Sequence, residues 1–153
     1  RFERELRIRQ QQETLKTKSF KALKGQLPWP AEGRIISKFG RQWNPKLKTT
    51  TENPGIDIKG KPGSSIRTVL GGVVTTITYI RGYGTTIIVD HGGGFYTVYS
   101  HVTNIQTNVD SQVRNGDVIA YMGDSGSING SKLHFEIWGK GQKLDPERWL
   151  RKK

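Results

Sequence analysis

Apolar and polar residues alternate along most of this chain from about residue 34 onward. Leu133, Phe135 and Ile137 are interleaved with Lys132, His134 and Glu136. That is the period of a β-strand with one face buried. Val73 to Ile80 is a long run rich in Val, Ile and Thr, the residues that favour strands. Thr85 to Asp90 follows it across Arg81-Gly82-Tyr83-Gly84, which suits a hairpin turn. Phe95 to Val102 continues across Gly92-Gly93-Gly94 as a second hairpin, and Ile35-Ile36 and Asp117 to Met122 read as further short strands. The run from Trp43 to Glu52 is polar and reads as a loop. The predicted fold is mostly β, a compact antiparallel sheet or sandwich. Period two also orders the side chains: Lys132 and His134 point the same way, and Tyr99 and His101 share one face of their strand.

Residues 1 to 24 follow a different pattern. They contain no Gly or Pro and consist mainly of good helix formers. Phe2, Leu6 and Leu15 make only a sparse apolar stripe, so the segment reads as a helix, a coiled-coil tail or a linker ahead of a domain spanning 25–153. A length of 153 residues suits one domain of ordinary size. The absence of cysteine excludes a disulfide framework, and no apolar run of about 18 residues is present to span a membrane. The first residue is Arg1 rather than Met, so the chain reads as a fragment or a processed form, and any export signal would lie upstream. A net charge of +12 favours anionic partners, envelope polyanions or an acidic protein face among them. No nucleic-acid-binding motif accompanies that charge, so nucleic acid is not expected as a partner.

Three segments carry candidate chemistry: Asn53-Pro54-Gly55-Ile56-Asp57, Tyr99-Ser100-His101 and Lys132-Leu133-His134-Phe135-Glu136-Ile137. Taken singly, each residue has a structural reading. Asp57 could serve a turn, His101 a strand end, His134 a half-buried strand, and Asn53 before Pro54 suits a turn. Their joint order resembles the LytM/lysostaphin-type zinc endopeptidases, which cut peptide cross-links in peptidoglycan. The family pattern is His-x-x-x-Asp, then Tyr-x-His, then His-x-His before a Phe-Glu-Ile-like strand. Flanking blocks extend the resemblance over about residues 27 to 150, including Pro28-Trp29-Pro30, Phe39-Gly40 and Asn115-Gly116-Asp117.

Two positions depart from the family pattern. Asn53 stands where the first metal histidine would be, and Lys132 where the first histidine of the pair would be. The resemblance leaves Asp57 and His134 as remnant ligands, whereas a catalytic zinc needs about three protein ligands and an open position. A neutral amide is a poor zinc ligand, and an ammonium repels a dication. Without metal, water keeps its bulk pKa of about 15.7 and yields no hydroxide at neutral pH. The resemblance therefore implies a domain with no zinc cofactor and no catalytic residues, His101 being vestigial. Asn53, Asp57, Tyr99, His101, Lys132 and His134 would line a groove that binds a partner. Degenerate members of the EnvC type imply the partner: a peptidoglycan amidase or another cell-wall hydrolase, activated during daughter-cell separation. The alternatives are a surviving zinc endopeptidase and a passive peptidoglycan-binding module.

Overall fold

In a computed structural model of the protein, residues 20–124, 127 and 130–153 are described. The predicted N-terminal helix lies mostly outside them. The described chain is built from thirteen short strands and one helical turn. They run β1 (Arg34–Ser37), β2 (Gly40–Asn44), β3 (Thr49–Asn53), β4 (Ile56–Lys59), β5 (Ser65–Arg67), β6 (Gly72–Ile80) and β7 (Gly84–Gly92). There follow β8 (Phe95–Ser100), β9 (Val102–Thr103), β10 (Gln112–Val113), β11 (Val118–Met122), β12 (Lys132–Gly139), β13 (Gln142–Leu144) and α1 (Pro146–Trp149).

All strand pairs are antiparallel. The main sheet runs β1-β4-β12-β8-β7-β6-β10, with β13 added to the end of β12. A small sheet, β5-β11-β9, lies apart from it, and β2 and β3 form a separate ribbon. Both hairpins foreseen in the sequence are present, β6–β7 around the Arg81–Tyr83 turn and β7–β8 around Gly93 and Gly94. The Trp43–Glu52 run is a correction. It is not a loop but the β2–β3 hairpin, paired from Gly40↔Asn53 to Asn44↔Thr49. Its sequence hid this because both faces are polar, so it shows no alternation; threonine strand propensity and backbone pairing form it instead.

One face of the main sheet and the small sheet share a single apolar cluster. Ile56, Ile58, Ile87, Val89, Leu133, Phe135 and Ile137 meet Ile66, Ala120 and Met122 there. Phe20 closes one end, stacked on Phe95 at 4.7 Å and against Trp149 at 5.3 Å. Among the described residues the packed core thus reaches back to Phe20, ahead of the compositional boundary at Gly25. Within the main sheet, the entry to β4 lies close against β12. A Cβ at Gly55 would stand 2.1 Å from the Phe135 carbonyl oxygen, so a side chain there would push β4, and Asp57 with it, off β12.

Candidate functional site

Strand β12 sends Lys132, His134, Glu136 and Trp138 to the face opposite the core, as the period of two requires. Register places Asp57 of β4 directly across from His134, with Ser100 of β8 on its other side. The side chains join into one chain of alternating charge. Lys132 Nζ donates to Asp57 Oδ2 at 3.0 Å. Asp57 Oδ1 lies 2.6 Å from His134 Nδ1, and His134 Nε2 lies 2.8 Å from Glu136 Oε2. Trp138 Nε1 donates to Glu136 Oε1 at 2.8 Å, and Lys143 Nζ stands 3.6 Å from the same oxygen.

The protonation energetics follow from that chain. Burial alone would raise the Asp57 carboxyl, but the hydrogen bonds and charges of His134 and Lys132 outweigh it and hold Asp57 below its usual value. Burial likewise opposes ionisation of Glu136, yet His134, the Trp138 indole and the Lys143 charge bring it down. Burial works against a charged His134, but two flanking carboxylates raise its pKa instead. An imidazolium donates from both ring nitrogens, and here both face a carboxylate. Tyr83 closes over this group, its ring 4.9 Å from that of His134. Its hydroxyl is pushed up by burial and by the charges of Glu136 and Asp57.

The groove is a hollow of about 220 Å³ lined by Ser37, Asn53, Asp57, Tyr83, His101, Lys132 and His134 among others. Five of the six site residues expected from the sequence converge there. Tyr99 does not, and that expectation is corrected: it is fully buried on the core face, 5.3 Å from the Phe135 ring. Strand β8 ends at Ser100, and His101 takes a left-handed φ of 65°. The backbone turn breaks the alternation that would have kept His101 beside Tyr99. It is held by the His101 N–H donating to the Tyr83 carbonyl at 2.8 Å. Glu136 and Tyr83 are the members sequence reasoning left out. Glu136 carried a signal, since it shares a face with His134 two residues away. Tyr83, in a glycine turn, carried none.

A larger hollow of about 530 Å³ lies beside Gly71, His91 and Asn115. Two of its polar groups serve the backbone: Asn115 Oδ1 accepts from Gly71 N–H at 2.6 Å, and His91 Nδ1 lies 2.9 Å from the Gly71 carbonyl oxygen. Size therefore does not select the site; the concentration of interacting charges does.

The donor set can be tested against a zinc ion. Asp57 and His134 are together, and Glu136 fixes the distal imidazole nitrogen as a carboxylate does behind a metal-bound histidine. Asn53 is occupied at both ends of its amide. Its Nδ2 donates to Ser37 Oγ at 2.9 Å, and its Oδ1 accepts from Gly55 N–H at 3.1 Å, an Asx turn. The Lys132 ammonium stands against the carboxylate a dication would need, and it is only 9% exposed. Two ligands, a committed amide and a buried cation do not fit a three-ligand zinc site. What the arrangement offers is a fixed pattern of charge and hydrogen-bonding groups at the floor of a cleft.

Comparison with known proteins adds the following. The model of peptidase family M23 matches residues 51–146, more than half of the chain. The murein hydrolase activator EnvC of Escherichia coli is 33% identical over 129 residues, 84% of this chain and 30% of that protein. The murein hydrolase activator NlpD of the same organism is 37% identical over 123 residues, 80% of this chain and again 30% of the relative. The chain thus spans about a third of the length of these curated relatives. A zinc-containing peptidase from Vibrio cholerae superposes with a TM-score of 0.74 at 21% identity, covering 82% of this chain and 40% of that one. That likeness concerns the fold alone.

Proposed function

This chain belongs to peptidase family M23, and we propose that it acts in peptidoglycan remodelling as a non-catalytic regulator, its groove docking and activating a cell-wall hydrolase. The hydrolase we propose is a peptidoglycan amidase, working in the cell envelope at daughter-cell separation. The observation that carries this reading is the Lys132 ammonium 3.0 Å from Asp57, in the place where the family puts a histidine. The names of the relatives, murein hydrolase activators, support the role. In this reading the groove holds no zinc. His134 has carboxylates on both ring nitrogens and so offers no lone pair to a reacting group. The charged chain instead presents a rigid, prepaired surface to a partner. Asn53, Asp57, His101, Lys132 and His134 form its floor, and Tyr83 one wall.

Stimulation of an amidase on purified cell walls tests the proposal. Lys132→Glu should weaken amidase binding by about 2–5 kcal/mol, since it places like charges together at a buried contact. Lys61→Glu, on an exposed turn, should change only the association rate and its salt dependence. Equal small effects would move the docking surface elsewhere.

The zinc reading has its own test, by elemental analysis after incubation with zinc. Native protein should retain less than stoichiometric metal. The double variant Asn53→His, Lys132→His supplies the missing ligand and removes the cation, so it should retain about one zinc per chain. One tightly held zinc in the native protein, with chelator-sensitive wall lysis, would replace the regulator by a zinc endopeptidase.

A further inference from the structure

Two residues beyond Glu136 on the same face of β12, Trp138 begins a second surface outside the groove. Its indole cannot swing freely, because Nε1 donates to Glu136 Oε1 at 2.8 Å and Glu136 is 5% exposed. Tyr96, its cross-strand partner on β8, sets its ring 6.3 Å away at an interplanar angle of 57°. Lys143 of β13 holds its ammonium 5.9 Å from the indole centroid, with about half of its side chain in solvent. Gly94 and Gly141 leave the floor without side chains, and Gln142 stands at the edge. Together they bound a hollow of about 250 Å³. Neither aromatic ring belongs to the core cluster.

We propose that this shelf is a saccharide-binding subsite for a carboxylate-bearing amino sugar of the peptidoglycan glycan strand. The ligand identity rests on the peptidoglycan reading above, while the chemistry rests on the shelf itself. A pyranose ring has an apolar face of C–H bonds that packs on an aromatic face, and a polar rim that needs donors and acceptors. Trp138 and Tyr96 supply the faces, pre-ordered by Glu136 and by each other, so little conformational freedom is lost on binding. Gln142 and Tyr96, which both line the hollow, carry an amide and a hydroxyl for the polar rim. The charge selects an acidic sugar. Lys143 borders the rings, and the chain as a whole carries +12. Glu136 is already committed to His134, Trp138 and Lys143, so it does not turn the shelf acidic. The shelf and groove lie along one face of one strand, which lets a wall strand and a docked hydrolase be held side by side.

Calorimetric titration of the whole chain tests this with two peptide-free oligosaccharides. One alternates N-acetylglucosamine with N-acetylmuramic acid, whose lactyl group carries the carboxylate; the other is neutral chitotetraose. The acidic oligomer should bind saturably and more tightly than the neutral one. Trp138→Ala and Tyr96→Ala should each weaken it roughly tenfold, the scale of one lost aromatic contact. Tyr96→Ala is the cleaner variant, because it leaves every bond to Glu136 in place. Lys143→Gln should reduce the acidic oligomer to the affinity of chitotetraose. Absence of saturable binding, equal affinity for both oligomers, or unchanged binding in both aromatic variants would overturn the proposal. Amidase stimulation is read separately. Stimulation without sugar binding removes the shelf and leaves the groove reading; sugar binding without stimulation does the reverse.

Discussion

The main sheet carries two chains of buried polar groups, one on each face, and they are built from different chemistry. On the groove face, Lys132, Asp57, His134 and Glu136 alternate in sign, and the chain ends at the Trp138 indole. On the core face, His91 Nε2 lies 2.7 Å from Thr97 Oγ1, which lies 2.8 Å from the Tyr99 hydroxyl. That hydroxyl accepts from the Val69 N–H at 3.1 Å, and the far end of the chain reaches the Gly71 carbonyl oxygen. The core chain uses hydroxyls and backbone groups to tie strands β7 and β8 to the segment leading into β6. It satisfies polar groups that burial would otherwise penalise. The groove chain spends charges that hydrophobic residues could have replaced more cheaply. In the proposed reading, the charged array at the cleft serves recognition and the hydroxyl and backbone network in the core serves stability, and Tyr99 belongs to the second.

That separation can be broken from either side. The largest expected effect is Asp57→Ala. It strands the Lys132 ammonium without its acceptor and should cost about 3–5 kcal/mol in urea unfolding. Amidase stimulation should vanish with it, even under conditions where the variant is folded. A cost below about 1 kcal/mol would mean the pair is solvent-relaxed and contributes as a surface pair does.

Tyr99→Phe is the matched change on the other face. It removes only the hydroxyl and leaves the Val69 N–H and the Thr97 hydroxyl short of a partner, at a cost of about 1–3 kcal/mol. Amidase stimulation should be unchanged once the loss of stability is allowed for. Loss of stimulation from a stably folded Tyr99→Phe would erase the division of labour between the two faces.

The smallest effect is on pH dependence, and its sign differs between members of the groove chain. His134 binds its proton more tightly when folded, so its contribution is complete below the ordinary imidazole pKa of about 6.5 and is lost as pH rises through the raised folded value. Asp57 and Glu136 release theirs more readily when folded. Their contribution is present above the usual carboxylate range and is lost as pH falls through the depressed folded values. Stability should therefore be highest in mildly acidic solution and decline on both sides. Unfolding midpoints measured across pH should lose the alkaline decline in His134→Gln, and keep it in Tyr99→Phe.

Legibility differed along the chain for physical reasons. Strands β6 and β7 were readable from their runs of Val, Ile and Thr, and β12 from the alternation of Leu133, Phe135 and Ile137 with polar residues. The same rule placed Lys132 and His134 together, and both indeed reach Asp57. The β2–β3 hairpin was not readable, since a ribbon polar on both faces leaves no pattern. The N-terminal segment offered a boundary by composition, but Phe20 packs at zero exposure against Phe95 and Trp149, far along the chain. Nothing local marks such a contact.

The sequence by itself determined the main strands, the β6–β7 and β7–β8 hairpins and the two departures from the family motif, Asn53 and Lys132. These follow from side-chain periodicity and residue identity, which are local. Only the tertiary structure decided which side of the sheet each polar residue serves. A single left-handed residue, His101, moves its own ring into the groove and leaves Tyr99 in the core. Only the structure, too, decided that Lys132 is spent on Asp57 rather than on solvent. That outcome depends on the register of β12 against β4, a pairing between residues 75 apart in the chain.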